Sequence, residues 1–178
     1  MEPQDVSRRS HDLLFGIRRS VRYHNRRCLF FDRLHRITVS FSLVFGSATV
    51  SVALSQAGRP WVSVCAAMVA VFGAIDLVFD APQFARLHKD LARRFIALEK
   101  EIVILPTLTE DEIRRFTADR LEIEADEPPV LRILNVVCHN ELMRAMGYPD
   151  NSLAKISPLK RFFCHFFDLN DAAIKGSA

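Results

Sequence analysis

A run of 22 residues without a charged side chain, between Arg36 and Arg59, constrains this chain more than any other feature. At about 1.5 Å per residue such a helix measures about 33 Å, enough to cross a hydrocarbon layer about 30 Å thick. Beyond Arg59, residues 60–79 form a second apolar run of 20 residues that holds a single acid, Asp76. Two adjacent runs of this length predict a transmembrane helical hairpin.

The alternative is a pair of core helices in a soluble protein. Core helices usually keep a polar face toward solvent, and neither of these two runs has a continuous polar face. The whole chain combines 49% hydrophobic with 25% charged residues, which indicates that apolar and charged segments are separated along the sequence. The arginine-rich segment ahead of the first run argues against a cleaved signal peptide.

Positive charges predict the topology. Nine arginines precede Ile37, one lies in the connector between the two runs, and further basic residues follow Asp80. Because basic residues concentrate on the cytoplasmic side, we expect the N-terminal and C-terminal parts in the cytoplasm. The predicted fold is an all-α membrane protein. Its domains are an N-terminal basic amphipathic helix (1–36), a transmembrane hairpin (37–79) and a C-terminal cytoplasmic helical region (80–178).

Small and hydroxyl-bearing residues mark the faces of the two apolar helices. One set lies on a single face of each helix and is predicted to let the helices pack closely. Its members are Ser42, Gly46, Ala66, Ala70 and Gly73. A second set, on another arc of the first helix, consists of Ser40, Ser47, Ser51 and Ser55. This serine stripe needs a further neighbour, either other subunits or water in a pore.

Asp76 lies about one turn from the cytoplasmic end of its helix, where an ionised acid is costly unless it meets water or a base. Asp80 follows one turn later on nearly the same side. Both acids could lie at the interface, with Asp76 paired to Arg33 or Arg36. They could also form an acidic ring at the inner mouth of a cation-conducting oligomer, which makes them pore-lining candidates with the serine stripe.

The segment after the hairpin predicts a break at Asp80, the N-cap of a long helix that ends near Leu105. Apolar positions along this helix are spaced 4, 3, 4, 3, 4, as in a coiled-coil seam. The seam residues are Phe84, His88, Leu91, Phe95, Leu98 and Ile102. The seam packs either against another helix of the same chain or between subunits.

Three further helices are predicted. A capping box from Thr109 to Glu112 opens a helix that runs to about Ala125, and another helix spans about Val130 to Met146 before Gly147. The last runs from Leu159 to Leu169 and carries four phenylalanines, which either dock on the other helices or lie in the inner headgroup layer.

Chemical motifs are few. The sequence has no phosphate-binding glycine loop, nucleophile elbow or HExxH pattern, and its Cys-His pairs are adjacent residues that point about 100° apart on a helix. We therefore expect no enzyme activity, no cofactor and no metal. Arg18, Arg22 and Arg26 form a basic stripe, which is either solvated and paired with headgroups or a site for a phosphate-bearing ligand or an acidic partner surface.

The segment from Leu13 to His24 (LLFGIRRSVRYH), its continuation to Asp32 and the hairpin behind it resemble the SLATT domain family. The resemblance implies an oligomeric two-helix effector of bacterial conflict systems in the inner membrane. Such effectors are thought to perforate or depolarise that membrane when a partner protein makes or senses a nucleotide signal. The family's basic motif beside the membrane corresponds to Arg18, Arg22, Tyr23, His24 and Arg26.

The expected function is therefore a pore or membrane depolarisation in a defence or phage-related system. Its expected partners are the lipid bilayer, further copies of the chain and a nucleotide-signalling protein, but not nucleic acid. No nucleotide-making or nucleotide-sensing domain accompanies the hairpin, which leaves the trigger open. The alternatives are a membrane-anchored scaffold that binds a partner through its cytoplasmic helices, and a phage holin-like or exclusion protein.

Overall fold

The computed structural model describes residues 3–54 and 59–166. Over these ranges the chain is all-helical without a β-strand, which confirms the all-α part of the predicted class. Six α-helices and one 3-10 turn (Asp150–Ser152) follow one another. The helices are α1 (Pro3–Leu54), α2 (Arg59–Phe79), α3 (Ala81–Ile104), α4 (Glu110–Ala125), α5 (Arg132–Ala145) and α6 (Pro158–Phe163).

Helix α1 contains both the basic N-terminal segment and the first apolar run in one element of 52 residues. The sequence offers no reason for a break, because neither proline nor glycine occurs between Gly16 and Gly46. The predicted boundary at residue 36 is thus a change in side-chain chemistry within one helix.

Asp80 separates α2 from α3, and the predicted break is confirmed. Its φ of 40° lies in the left-handed region, which aspartate tolerates better than most residues. The backbone amides of Gln83 and Phe84 donate to its carbonyl oxygen at 3.0 and 3.2 Å, so the new helix begins directly after the reversal.

The predicted capping box of α4 is confirmed. The amide of Glu112 donates to the Thr109 hydroxyl at 3.3 Å, and the Glu112 carboxylate accepts from the Thr109 amide at 2.8 Å. Helix α5 is shorter than predicted by about two residues at its start, and Gly147 follows it with a φ of 82°. The predicted end of the last helix, at Leu169, lies outside the described residues.

The described chain divides into two compact units, and α1 and α3 each contribute to both. We call residues 3–26 and 88–166 the basic unit, and residues 27–87 the apolar unit. In the basic unit the seam residues from His88 to Ile102 are buried within the single chain. Helix α1 supplies part of the cover, since the ring of His24 stacks on that of Phe95 at 5.6 Å.

The role of these five seam residues as an oligomer contact is therefore wrong, and packing within the chain is the correct alternative. They are His88, Leu91, Phe95, Leu98 and Ile102. The sixth, Phe84, belongs to the apolar unit, where its ring stacks on Phe31 at a centroid distance of 5.2 Å. A 4-3 spacing identifies the buried face of a helix, but it does not identify what buries it.

In the apolar unit, α2 runs antiparallel to the second half of α1. Phe72 stacks on Phe41 at 4.9 Å and on Phe45 at 6.0 Å, while Asp76, further along α2, meets the earlier residue His35 of α1. Both helices are long and apolar enough to cross a membrane. Their large apolar side chains point outward, as Leu43 (70% exposed) and Leu77 (81% exposed) illustrate.

Candidate functional site

Asp76 is the centre of a polar cluster between α1 and α2. Its Oδ1 atom lies 2.9 Å from Nδ1 of His35 and 3.1 Å from the hydroxyl of Thr38, which is buried. The predicted pairing of Asp76 with Arg33 or Arg36 is wrong, because its described partners on α1 are His35 and Thr38. Positions 35 and 38 share the face of α1 that meets α2, whereas positions 33 and 36 point away from that face.

The hydrogen bonds of this cluster can be arranged in two ways, which differ in the direction of the Thr38 hydroxyl. The hydroxyl of Thr38 is also 2.9 Å from the carbonyl of His35, and it has one hydrogen to donate. If it donates to that carbonyl, its oxygen can accept from a protonated Asp76. If it donates to Asp76, the carboxylate accepts from Thr38 and His35 together. Such partners offset the cost of an acid in an apolar helix.

The serine stripe points away from α2. Ser40, Ser47 and Ser51 are exposed, as is Asp80, and Ser55 lies outside the described residues. The hydroxyl of Ser47 donates to the Leu43 carbonyl at 2.9 Å, which is how serine satisfies its hydrogen bond inside an apolar helix. The stripe is consequently available to a neighbour beyond α2.

The small-residue faces pack differently from the prediction. Ser42 and Gly46 are half-buried, but Ala66, Ala70 and Gly73 are exposed, so the close-packing role of these last three within the helix pair is wrong. A Cβ atom added at Gly46 or Gly73 would meet none of the described atoms within 4 Å. The rings of Phe41, Phe45 and Phe72 occupy the contact instead, and rings of this size do not permit a close backbone approach.

The arginine stripe lies in the basic unit and is largely paired within the chain. Arg18 Nε donates to Glu99 at 2.7 Å, and Arg26 pairs with Glu141. Arg9, on the same helix, bonds both carboxylate oxygens of Glu110 through Nη1, at 2.6 and 2.7 Å. Arg18 and Arg26 therefore form neither a freely solvated face nor a ligand site, because each pairs with an acid on α3 or α5.

Tyr23 and His24 extend these contacts into the interior. The Leu131 amide donates to the Tyr23 hydroxyl at 3.0 Å. His24 is fully buried, with Nδ1 2.9 Å from Nδ1 of His88 and Nε2 2.9 Å from Oε1 of Glu127. A carboxylate accepts, so neutral His24 carries its proton on Nε2 and accepts at Nδ1 from His88. The motif residues thus hold α1 to the rest of the basic unit.

Glu99, Glu127 and Glu141 are the contacts that sequence reasoning missed. They lie 81, 103 and 115 residues from their partners on α1, and no local pattern connects positions so far apart. Glu99 and Glu141 stand out in the sequence only as charged positions on helices, and Glu127 only as part of the acidic turn after α4. A matching count of acids on α3 and α5 is the one signal that could have suggested pairing.

Cysteine and metal chemistry find little support. No group of three or more histidines, cysteines or acids capable of holding a metal occurs in the described segments. Cys138 is buried, and that burial raises the pKa of its thiol to about 12. Next to it, His139 lies against the ring of Phe15 at 5.0 Å. Cys138 is therefore a packing residue with an unreactive thiol.

No protein-family model matches this chain, and searches of the curated proteins and of the solved structures also return no match. The resemblance to the SLATT family therefore rests on the motif and the apolar helices alone.

Proposed function

We propose that the chain inserts α2 and the second half of α1 into the bacterial inner membrane as a hairpin. The observation that carries this proposal is the outward apolar surface of both helices, which includes Leu43, Val44, Trp61, Leu77 and Val78. A surface of this extent is unfavourable in water but matches the hydrocarbon of a bilayer. Basic residues precede the first span and follow the second in the sequence, and this favours a cytoplasmic position for both the N-terminal and the C-terminal parts.

Within the membrane, we propose that copies of the chain associate into a pore that depolarises the cell. A single hairpin leaves Ser40, Ser47 and Ser51 facing lipid, whereas a ring of hairpins can turn them toward a shared water-filled path. The exposed Asp80 then lies near one end of that path and favours cations, while Asp76 remains in its cluster with His35 and Thr38. The SLATT resemblance suggests a defence or phage-related role with a nucleotide-signalling partner.

A membrane-anchored scaffold is the second candidate, and α6 is the observation that favours it. Leu159 and Phe162 on this helix are 67% and 70% exposed, and Phe163 and Phe166 are exposed too. Apolar side chains grouped in this way can bind a partner protein. A scaffold of this kind leaves the membrane potential unchanged.

The decisive experiment is induced expression in bacteria loaded with a potential-sensitive dye. The pore proposal predicts depolarisation by the wild type and its loss in Ser47→Leu, because leucine removes the polar lining. Val50→Leu, at an exposed position roughly 80° around the helix from the serine stripe, is the matched control and should depolarise like the wild type. An intact potential despite abundant membrane-localised protein would favour the scaffold, and a fully active Ser47→Leu would refute the lining assignment.

A further inference from the structure

A surface groove of about 310 Å³ lies in the basic unit between α1, α3 and α5. Its wall combines charged and apolar side chains from the three helices. The lining residues are Arg18, Val21, Arg22, Glu99, Leu142, Ala145 and Met146. The groove lies wholly within one unit and has no part in the proposed pore.

Arg22 distinguishes this groove from the rest of the arginine stripe. Arg9, Arg18 and Arg26 each bond a carboxylate, whereas the Arg22 guanidinium, among the described residues, makes one hydrogen bond, 3.4 Å long, to the carbonyl of Arg18. That bond is long for N–H to O, so most of the donors of Arg22 stay available. Arg22 is half-buried and has no carboxylate to neutralise it within the described ranges.

The other lining groups leave the positive charge of Arg22 unbalanced. The Glu99 carboxylate already accepts a hydrogen bond from Nε of Arg18, so these two charges balance each other. The positive charge of Arg22 is left without a counterion among the lining residues. Leu142, Ala145 and Met146 form an apolar wall beside the guanidinium. A ligand that fits both parts carries an anionic end and a compact apolar body.

We propose that this groove binds a phosphate monoester, with its phosphate on Arg22 and its apolar part against α5. A guanidinium presents paired donors that match phosphate oxygens, and a partly desolvated site strengthens such bonds. The same chemistry occurs in soluble monoesters and in the headgroup of phosphatidic acid. The inference is independent of whether the apolar helices form a pore.

The test uses the full chain in nanodiscs of phosphatidylcholine, titrated with phenyl phosphate and followed by calorimetry. Saturable binding is expected, and Arg22→Gln should weaken it by roughly tenfold or more, the loss of a charged hydrogen bond. Arg8→Gln removes an exposed arginine from the same helix and should bind as the wild type does. Equal affinities of Arg22→Gln and the wild type would overturn the proposal.

A second variant keeps the test informative if Arg22→Gln folds poorly. Ala145→Leu narrows the groove at an exposed position and should weaken phenyl phosphate while leaving the weaker binding of inorganic phosphate unchanged. Loss of both ligands, or of neither, would contradict the proposed placement of the apolar part.

Nanodiscs that contain phosphatidic acid distinguish the two sources of the monoester. If phosphatidic acid competes with phenyl phosphate in the wild type but not in Arg22→Gln, the groove is assigned to a lipid headgroup. If phosphatidic acid in the nanodiscs does not weaken phenyl phosphate binding, the groove is assigned to a soluble ligand.

Discussion

Tyr23 and His24 are neighbours on α1, and their side chains reach two other segments, α3 and the connector between α4 and α5. Tyr23 accepts the amide of Leu131, just before α5, while His24 contacts His88 of α3 and Glu127, just after α4. Each bond satisfies a polar group that would otherwise lie unpaired in the interior. Two adjacent residues thereby fix α1 against α3 and the connector between α4 and α5.

Replacing Tyr23 with phenylalanine should lower the free energy of unfolding by about 1 kcal/mol, because the Leu131 amide loses its acceptor in a buried setting. Denaturant unfolding of the full chain in detergent measures the change. Tyr148→Phe, at a position that is 39% exposed, is the control and should change stability little. Equal effects of the two substitutions would show that the buried hydrogen bond contributes nothing.

His139 should give the basic unit a pH dependence. Burial, and then the positive charge of Arg19, lower the pKa of its imidazole. On acidification the unfolded chain takes up this proton at about pH 6.5, while the folded chain still resists it. The stability contribution of neutral His139 is therefore complete above that pH and declines as the pH falls toward the lowered folded value.

Unfolding measured across this range in the wild type and in His139→Gln checks the expectation. The stability advantage of the wild type should shrink on acidification through the region just below pH 6.5, the ordinary histidine value. Parallel pH profiles for the two proteins would show that His139 does not contribute.

Helix α4 begins with a complete capping box. Thr109→Ala removes the reciprocal bonds with Glu112 and should cost about 1 kcal/mol of stability. Thr117 is the control, because its hydroxyl donates to the Ile113 carbonyl inside the same helix. Thr117→Ala should be neutral or slightly stabilising, since alanine has the higher helix propensity. Circular dichroism during thermal unfolding compares the two, and equal losses would contradict the role of the cap.

Local signals explain which features of the elements were predictable. The break at Asp80, the capping box at Thr109 and the end of α5 near Gly147 each depend on a few neighbouring residues. The surface that covers a helix depends on residues far along the chain. For that reason the burial of His88 to Ile102 within the chain, and the aromatic contact of Phe41 with Phe72, were not predictable from spacing.

The same limit applies to the candidate sites. Asp76 stands out in the sequence as the one acid of an apolar run, but its partner His35 lies outside the first uncharged run. The arginine stripe is equally visible, but two acids far along the chain, Glu99 on α3 and Glu141 on α5, decide which of its arginines are neutralised. Only the folded chain shows that Arg22 differs from Arg18 and Arg26.

For the molecule as a whole, the proposed topology can be measured by labelling. Trp61→Cys introduces an exposed thiol at the start of α2, which the hairpin places on the external side. A membrane-impermeant maleimide should modify it in intact cells, after the native cysteines are replaced by serine. Asn25→Cys, exposed on the basic unit, should react only after lysis. Modification of Asn25→Cys in intact cells would invert or exclude the proposed orientation.

The division of α1 and α3 between the two units has a consequence for biosynthesis. Arg9 and Arg26 form their pairs with residues that follow them by 101 and 115 positions, so these pairs wait until most of the chain has left the ribosome. Both apolar runs are synthesised first. In the proposed membrane topology, insertion therefore precedes completion of the basic unit, and the apolar face of early α1, with Leu13 and Ile17, stays uncovered in the interval.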